Sequence, residues 1–209
     1  MSEFIDVIES RRSANNFLEG EKITKKELTE VLDLVKLAPS CFNIQHAHYF
    51  VIMDKENKEL LREAALGQYK VHTASAAVLV LGDKEAYKES EKVYSGMNKL
   101  GILSDEDYHE MLVSIKGLYE GGGEVFKRDE AIRNASLSAM MFMLIAKEKG
   151  WDTCPMIGFD PEKVRETFHI PDRYELVLLI TIGKENTKNR RLRGYRKTID
   201  EFATFESFK

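Results

Sequence analysis

Apolar positions along the chain fall into two rhythms. Phe4, Ile5, Val7 and Ile8 recur at roughly helical spacing over residues 3–12, and Leu28, Val31, Leu32 and Val35 stripe a second helix. Thr24 with Glu27 predicts a capping box at the start of that helix, each side chain satisfying a free N–H. Pro39 turns Ala38 away from helical angles and marks its end. Three unbroken apolar runs then read as strands: "YFVIM" (49–53), "AAVLVLG" (76–82) and "YELVLLITIG" (174–183). They lack alternation, so both faces of their sheet are expected to be covered. Asp54 is placed to cap a helix running to Gly67, and Asp160–Pro161 to start a short one as N-cap and first helical residue.

Residues 83–123 break the rhythm. They are polar, rich in Tyr and Glu and helical in pattern, with a helix start at Ser104 and Asp107 and a closing triple glycine, Gly121–Gly123. The expectation is a helical excursion or lid over the core, within a single domain spanning 1–209. From Glu124 to Lys149 runs the longest helix candidate; its part "ASLSAMMFMLIA" (135–146) is apolar or small on nearly every face, as in the centre of a fold or an interface. Gly150 ends it, and "WDTCPMIGFD" reads as a loop. The tail "KENTKNRRLRGYRKTIDEF" is basic and then acidic, and is expected to lie across a surface. Helices and strands without strict βαβ order predict an α+β fold, a helix-covered sheet.

Composition narrows the function classes. The 209 residues are 43% hydrophobic and 32% charged, a globular balance, and the formal net charge of −4 points to neither nucleic acid nor an anionic membrane. No apolar run is long enough to span a bilayer, and "MSEFIDVIES" has no signal-peptide core. Two cysteines, Cys41 and Cys154, in no CxxC spacing argue against a disulfide framework and fit a reducing cytoplasm.

Candidate chemistry is sparse. His46 and His48 would share a strand face but have no third ligand nearby, so no metal is expected. Cys41 near His46 could be a thiol and its base, although closeness in sequence does not make a dyad. Gly96 and Gly101 have phosphate-loop spacing, but Ile102 and Leu103 stand where Lys and Ser/Thr are needed, and no GxGxxG joins a strand to a helix. Three features remain. Arg11, Arg12 and Ser13 follow the first helix; they either answer its dipole or grip a phosphate, which the guanidinium fork matches. "LAPSCFNIQHAHYFVI" (37–52) crowds Ser40, Cys41, Asn43 and Gln45 into one junction, either a turn or a binding loop. The basic run Arg190, Arg191, Arg193, Arg196 and Lys197 is either a solvated surface or a further anion grip.

Taken in order, "RRSANNF", "APSCFNIQHAHYFVI", "GQYKVHTASAAVLVLGD", "AKEKGWDTCPMIGFD" and "LITIGKEN" resemble the FMN-dependent nitroreductase family, over about residues 3–200. Within it the wording is closest to NAD(P)H nitroreductases of Gram-positive bacteria. The resemblance implies a helix-flanked, mostly antiparallel sheet in an intertwined homodimer, two FMN sites at the subunit interface, and a tail (184–209) reaching onto the partner. It assigns the phosphate and ribityl contacts to Arg11 and Ser13 with Arg12 assisting. The late phosphate contacts fall on Arg191 and Arg193, with Arg190 a substitute if the register differs. Pro39, Ser40, Cys41, Phe42 and Asn43 match the loop that touches flavin across the interface, with Gln45 just behind. Gln68 and Lys70 match the polar and basic pair at the pyrimidine end of the ring. Pro155, Met156, Ile157 and Gly158 match the segment whose backbone N–H groups point to the flavin. Two departures stand out: Asn15 where many members carry lysine, and Ile157 where many carry an acidic residue.

The implied activity is ping-pong hydride transfer from NADH or NADPH to nitroaromatics, quinones or similar flat acceptors, with the cofactor carrying the chemistry and Lys70 tuning it. No classical catalytic residue and no metal are expected. Residues 83–123 would shape the acceptor pocket; Phe126 and Tyr119 either line it or simply pack. Rival readings keep the fold with enone reduction, dehalogenation or flavin chemistry, store or sense flavin without catalysis, or use Cys41 as a nucleophile.

Overall fold

The apolar runs of the sequence become three of four strands in one antiparallel sheet, ordered β1-β2-β4-β3. The computed structural model describes residues 3–190 and 192–208. Strand β1 (Ala47–Ile52) forms one edge, β2 (Ala76–Asp83) and β4 (Tyr174–Gly183) the centre, and β3 (Asp152–Met156) the other edge. The alternation absent from the sequence is absent because both faces are covered. Ala76, Val78 and Val80 of β2 face a core with helices α2 (Lys25–Val35) and α6 (Asp105–Glu148). Ala77, Leu79 and Leu81 face a second core with α3 (Lys55–Ala64), α4 (Tyr69–Thr73) and α7 (Pro161–Phe168).

The expected starts and stops hold. Thr24 and Glu27 form the capping box of α2, and Asp54, Ser104 and Asp160 accept N–H bonds at the starts of α3, α6 and α7. One expectation fails. Residues 152–156 are not loop but the edge strand β3, paired with β4 so that Pro155 stands opposite Ile180. An edge strand bonds a neighbour on one side only, so a proline without an N–H can sit there. Helix α6 is continuous in register except at Gly123, where φ 71 and ψ −172 break it into the two segments read from the sequence.

Residues 86–122 form a separate layer. Helix α5 (Ser90–Lys99) and the first half of α6 enclose a small core of Ala86, Tyr87, Tyr94, Ile115 and Tyr119, which also takes Ile44 from the loop before β1. Tyr119 is fully buried there, edge-on to Phe126 at 5.3 Å, so both pack within this layer. Other apolar surface has no cover within the chain. Phe4 and Ile8 of α1 (Glu3–Ser10), Leu137 and Met140 of α6, and Leu192, Tyr195, Phe202, Phe205 and Phe208 around α8 (Ile199–Phe202) are all exposed. Among the described residues no helix is long and apolar enough to cross a membrane.

Helix α6 passes so close to β2 that a Cβ on Gly82 would lie 2.6 Å from the Ala131 carbonyl oxygen. Overpacking of this kind costs about 1–3 kcal/mol. Gly82→Ala is expected to lower the unfolding free energy by that amount, seen by circular dichroism as a lower urea midpoint at an unchanged slope.

Candidate functional site

Beyond α1 the chain runs along the β3 edge. Ser13 bridges Thr153 in parallel, the Ala14 amide donates to the Thr153 carbonyl at 2.9 Å, and Phe17 is buried beside the end of β4. This pairing fixes Arg11, Arg12 and Ser13 at the mouth of β3, with Asn15 half-buried just beyond. The tail returns here. The Arg193 guanidinium donates to the backbone carbonyls of Glu9 and Arg11. Burial lowers the Arg11 pKa, and the charges of Arg193 and Arg196 lower it further. No carboxylate among the described residues forms an ion pair with Arg11, Arg193 or Arg196. Arg190, in contrast, is held by the buried carboxylate of Glu185. Arg191 lies outside the described residues. Thr153 Oγ1 is buried with no partner among the described residues.

A second group adjoins the far end of β3. Gln68, just before α4, donates from Nε2 to the Gly158 carbonyl at 2.7 Å, and Lys70 Nζ donates to Cys154 Sγ at 3.5 Å. A Cβ on Gly158 would stand 3.2 Å from Gln68 Nε2, so the smallest residue allows this approach. Met156 is buried and Pro155 half-buried, while Ile157 is 78% exposed. The structure therefore brings residues 11–13, 68–70, 154–158 and 193 to one edge of the sheet.

The loop from Pro39 to Gln45 is elsewhere. It precedes β1, the opposite edge, three strand-to-strand steps away, about 14 Å at ordinary spacing. Phe42, Asn43 and Gln45 have φ of 51, 50 and 59, left-handed values that cost non-glycine residues energy. Several contacts hold them. The Cys41 amide donates to Asn134 Oδ1 at 2.7 Å, the Tyr94 hydroxyl to the Phe42 carbonyl at 2.7 Å, and the Gln45 amide to Ser40 Oγ at 2.9 Å. Pro39, Ser40 and Gln45 also line a cleft of about 280 Å³ with Val35, Tyr49 and Asn134.

Sequence reasoning missed Tyr94, which belongs to no motif, and gave no site role to Thr153 and Cys154, although both stand in "AKEKGWDTCPMIGFD". Asn134 did leave a signal, as a polar residue beside the apolar half of α6, and it serves the loop. The alternatives weighed at this junction resolve simply. His46 is buried and hydrogen-bonded to Tyr119 at 2.9 Å, its Nδ1 without a partner among the described residues, so it is not paired with the exposed Cys41. Among the described residues no cluster could hold a metal ion.

Comparison with known proteins adds an independent line. The model of the Nitroreductase family matches residues 8–184. MhqN of Bacillus subtilis, provisionally named an NAD(P)H nitroreductase, is 57% identical over 205 residues, 98% of this chain and 100% of that one. A provisionally named nitroreductase of Exiguobacterium sibiricum, solved in complex with FMN, is 31% identical with a TM-score of 0.89, covering 99% of this chain and 98% of that one. The CLA biosynthesis enone reductase of Lactiplantibacillus plantarum is 29% identical over 88% of this chain and 86% of that one.

Burial lowers the pKa of His46 from 6.5 to about 4. Its folded pKa lies below the unfolded one, so the stability it contributes is complete above pH 6.5 and lost as pH falls toward 4. The full shift is worth at most about 3 kcal/mol. In urea titrations from pH 7 to 4.5, the stability advantage of wild type over His46→Gln is expected to narrow as pH falls.

Proposed function

The chain belongs to the nitroreductase family and is an oxidoreductase of the NAD(P)H nitroreductase type, and from that premise we propose that it holds FMN and passes electrons from NADH or NADPH to nitroaromatics, quinones or similar flat acceptors. One observation carries the cofactor reading: Arg11, Arg193 and Arg196 crowd together, with no carboxylate among the described residues paired to them, beside exposed Ser13 and Thr153 Oγ1, which has no partner among those residues. Like charges gathered at a partly buried site call for an anion, and a phosphate monoester supplies two negative charges with oxygens that suit the guanidinium fork.

In this reading Arg11, Ser13 and Arg193 hold the phosphate, with Arg12 and Arg191 assisting and Asn15 offering a neutral donor. Gln68 and Lys70 meet the pyrimidine end of the ring, where Lys70 supplies a cation as the ring gains charge. Residues 155–158 present backbone along its other edge. When bound, FMN supplies the hydride chemistry; the chain binds, orients and tunes.

The remaining contacts need a second copy. Loop 39–45 sits at the wrong edge to reach the group at β3 of its own chain, so a homodimer in which each subunit lends this loop to the other completes both sites. The exposed apolar residues of α1, α6 and the tail are the surface such a dimer would cover. The layer at 86–122 would then stand over the acceptor side as a lid. A second acceptor class, enones, has the Lactiplantibacillus plantarum relative in its favour.

The deciding measurement is the visible spectrum of the purified protein under anaerobic conditions, before and after NADH and then NADPH. Flavin bands that bleach are expected. Bands that persist with both donors would overturn catalysis in favour of storage or sensing, and failure to bind added FMN would overturn the cofactor reading. Arg11→Ala and Arg193→Ala are each expected to weaken FMN binding by about tenfold or more, the worth of one charged hydrogen bond, measured by fluorescence titration. Lys70→Ala is expected to keep FMN but slow its reduction in stopped flow; a rate equal to wild type would remove the tuning role.

A further inference from the structure

We infer that Tyr94 is a positioning residue that clamps the loop at 40–45 in its left-handed conformation and so couples the helical layer at 86–122 to the face of the bound cofactor. The role at the cofactor rests on the function proposed above; the clamp itself does not. Three of the four residues from Phe42 to Gln45 have positive φ and none is glycine. Such a backbone persists only where its surroundings over-determine it, and it collects at functional sites. Here two anchors come from distant parts of the chain. Asn134 of α6 takes the Cys41 amide, and Tyr94 of α5 donates its hydroxyl to the Phe42 carbonyl.

The two anchors differ in what they are attached to. Asn134 stands on the second half of α6, whose neighbours Ala135 and Ala139 belong to the sheet core. Tyr94 belongs to the small core of the separate layer, together with Ile44 from the loop itself. Between the two halves of α6 lies the break at Gly123. Displacement of the layer would therefore pull on Phe42 and leave Cys41 fixed. The Phe42 ring, 37% exposed, is the flat apolar group that the clamp presents outward. The layer that would cover the acceptor and the aromatic that would stack beside it are then linked by the Tyr94 hydroxyl, which makes Tyr94 a determinant of acceptor affinity.

The test is Tyr94→Phe, which removes the hydroxyl and keeps the ring in its core. Amide hydrogen exchange of the peptide spanning residues 40–46, read by mass spectrometry on the protein stripped of flavin, reports the clamp. Exchange is expected to rise about three- to tenfold, the worth of one neutral hydrogen bond, with exchange in β2 and β4 unchanged. Steady-state kinetics with a benzoquinone and a nitroaromatic report the coupling: KM for the acceptor is expected to rise by a similar factor while kcat at saturation stays within about twofold. Unchanged exchange at 40–46 would overturn the clamp. Faster exchange with unchanged acceptor KM would overturn the positioning role. Failure of the wild type to bind FMN would defeat the proposed function and leave the exchange result to judge the clamp alone.

Discussion

Two strands buried on both faces govern the rest of this molecule. Between them β2 and β4 fill the middle of the sheet, most of their apolar side chains divided between two cores. Nothing chemical can be placed there without burying a polar group, so polar chemistry is displaced to the edges and to the loops that pass them. One edge collects the cations, Gln68, Lys70 and the β3 segment; the other carries the strained loop. The symmetric assembly proposed above would meet this constraint by setting one edge of each copy against the opposite edge of the other. The exposed apolar residues of α1, α6 and the tail would be the surface it covers.

The proportion of this arrangement legible in the sequence depended on range. Short-range signals were strong: the caps at Thr24, Asp54, Ser104 and Asp160, the break at Gly123, and the three unbroken apolar runs all have local causes and appear where they are expected. Residues 152–156 defeated local reading because Pro155 argues against a strand, and only the edge position, a tertiary fact, makes it permissible. The candidate site split the same way. Its arginines, Gln68 and the 39–45 loop were visible as residue types in family order. Their partners were not, since Cys154 is 84 residues from Lys70, Tyr94 is 52 from Phe42 and Asn134 is 93 from Cys41. No periodicity links positions that far apart.

The electrostatics of the two arginine groups show how a folded chain separates structure from binding. Arg190 meets the buried carboxylate of Glu185, a pair that closes on itself and leaves little field outside. Arg193 is held through the backbone carbonyls of Glu9 and Arg11, which fix its guanidinium beside Arg11 without neutralising it. The depressed Arg11 pKa is the signature of charge kept uncompensated against burial and repulsion. The tail thus neutralises one arginine on Glu185 and sets the next described one, still charged, beside Arg11.

The same economy of contacts appears at the loop, where strain takes the place of uncompensated charge. A left-handed run without glycine keeps side chains that glycine would forfeit: Phe42 gains an aromatic surface, and Asn43 and Gln45 gain amides able to meet the edge of a flat ring. The backbone energy this costs is offset by hydrogen bonds from Asn134, Tyr94 and Ser40. In the proposed site, Asn15 and Ile157 stand where the family resemblance leads to a lysine and an acid, so the cofactor side would carry less charge. The loop and Lys70 are then left with a larger share of the discrimination among acceptors, and shape and stacking rather than local charge should decide which flat molecules this chain accepts.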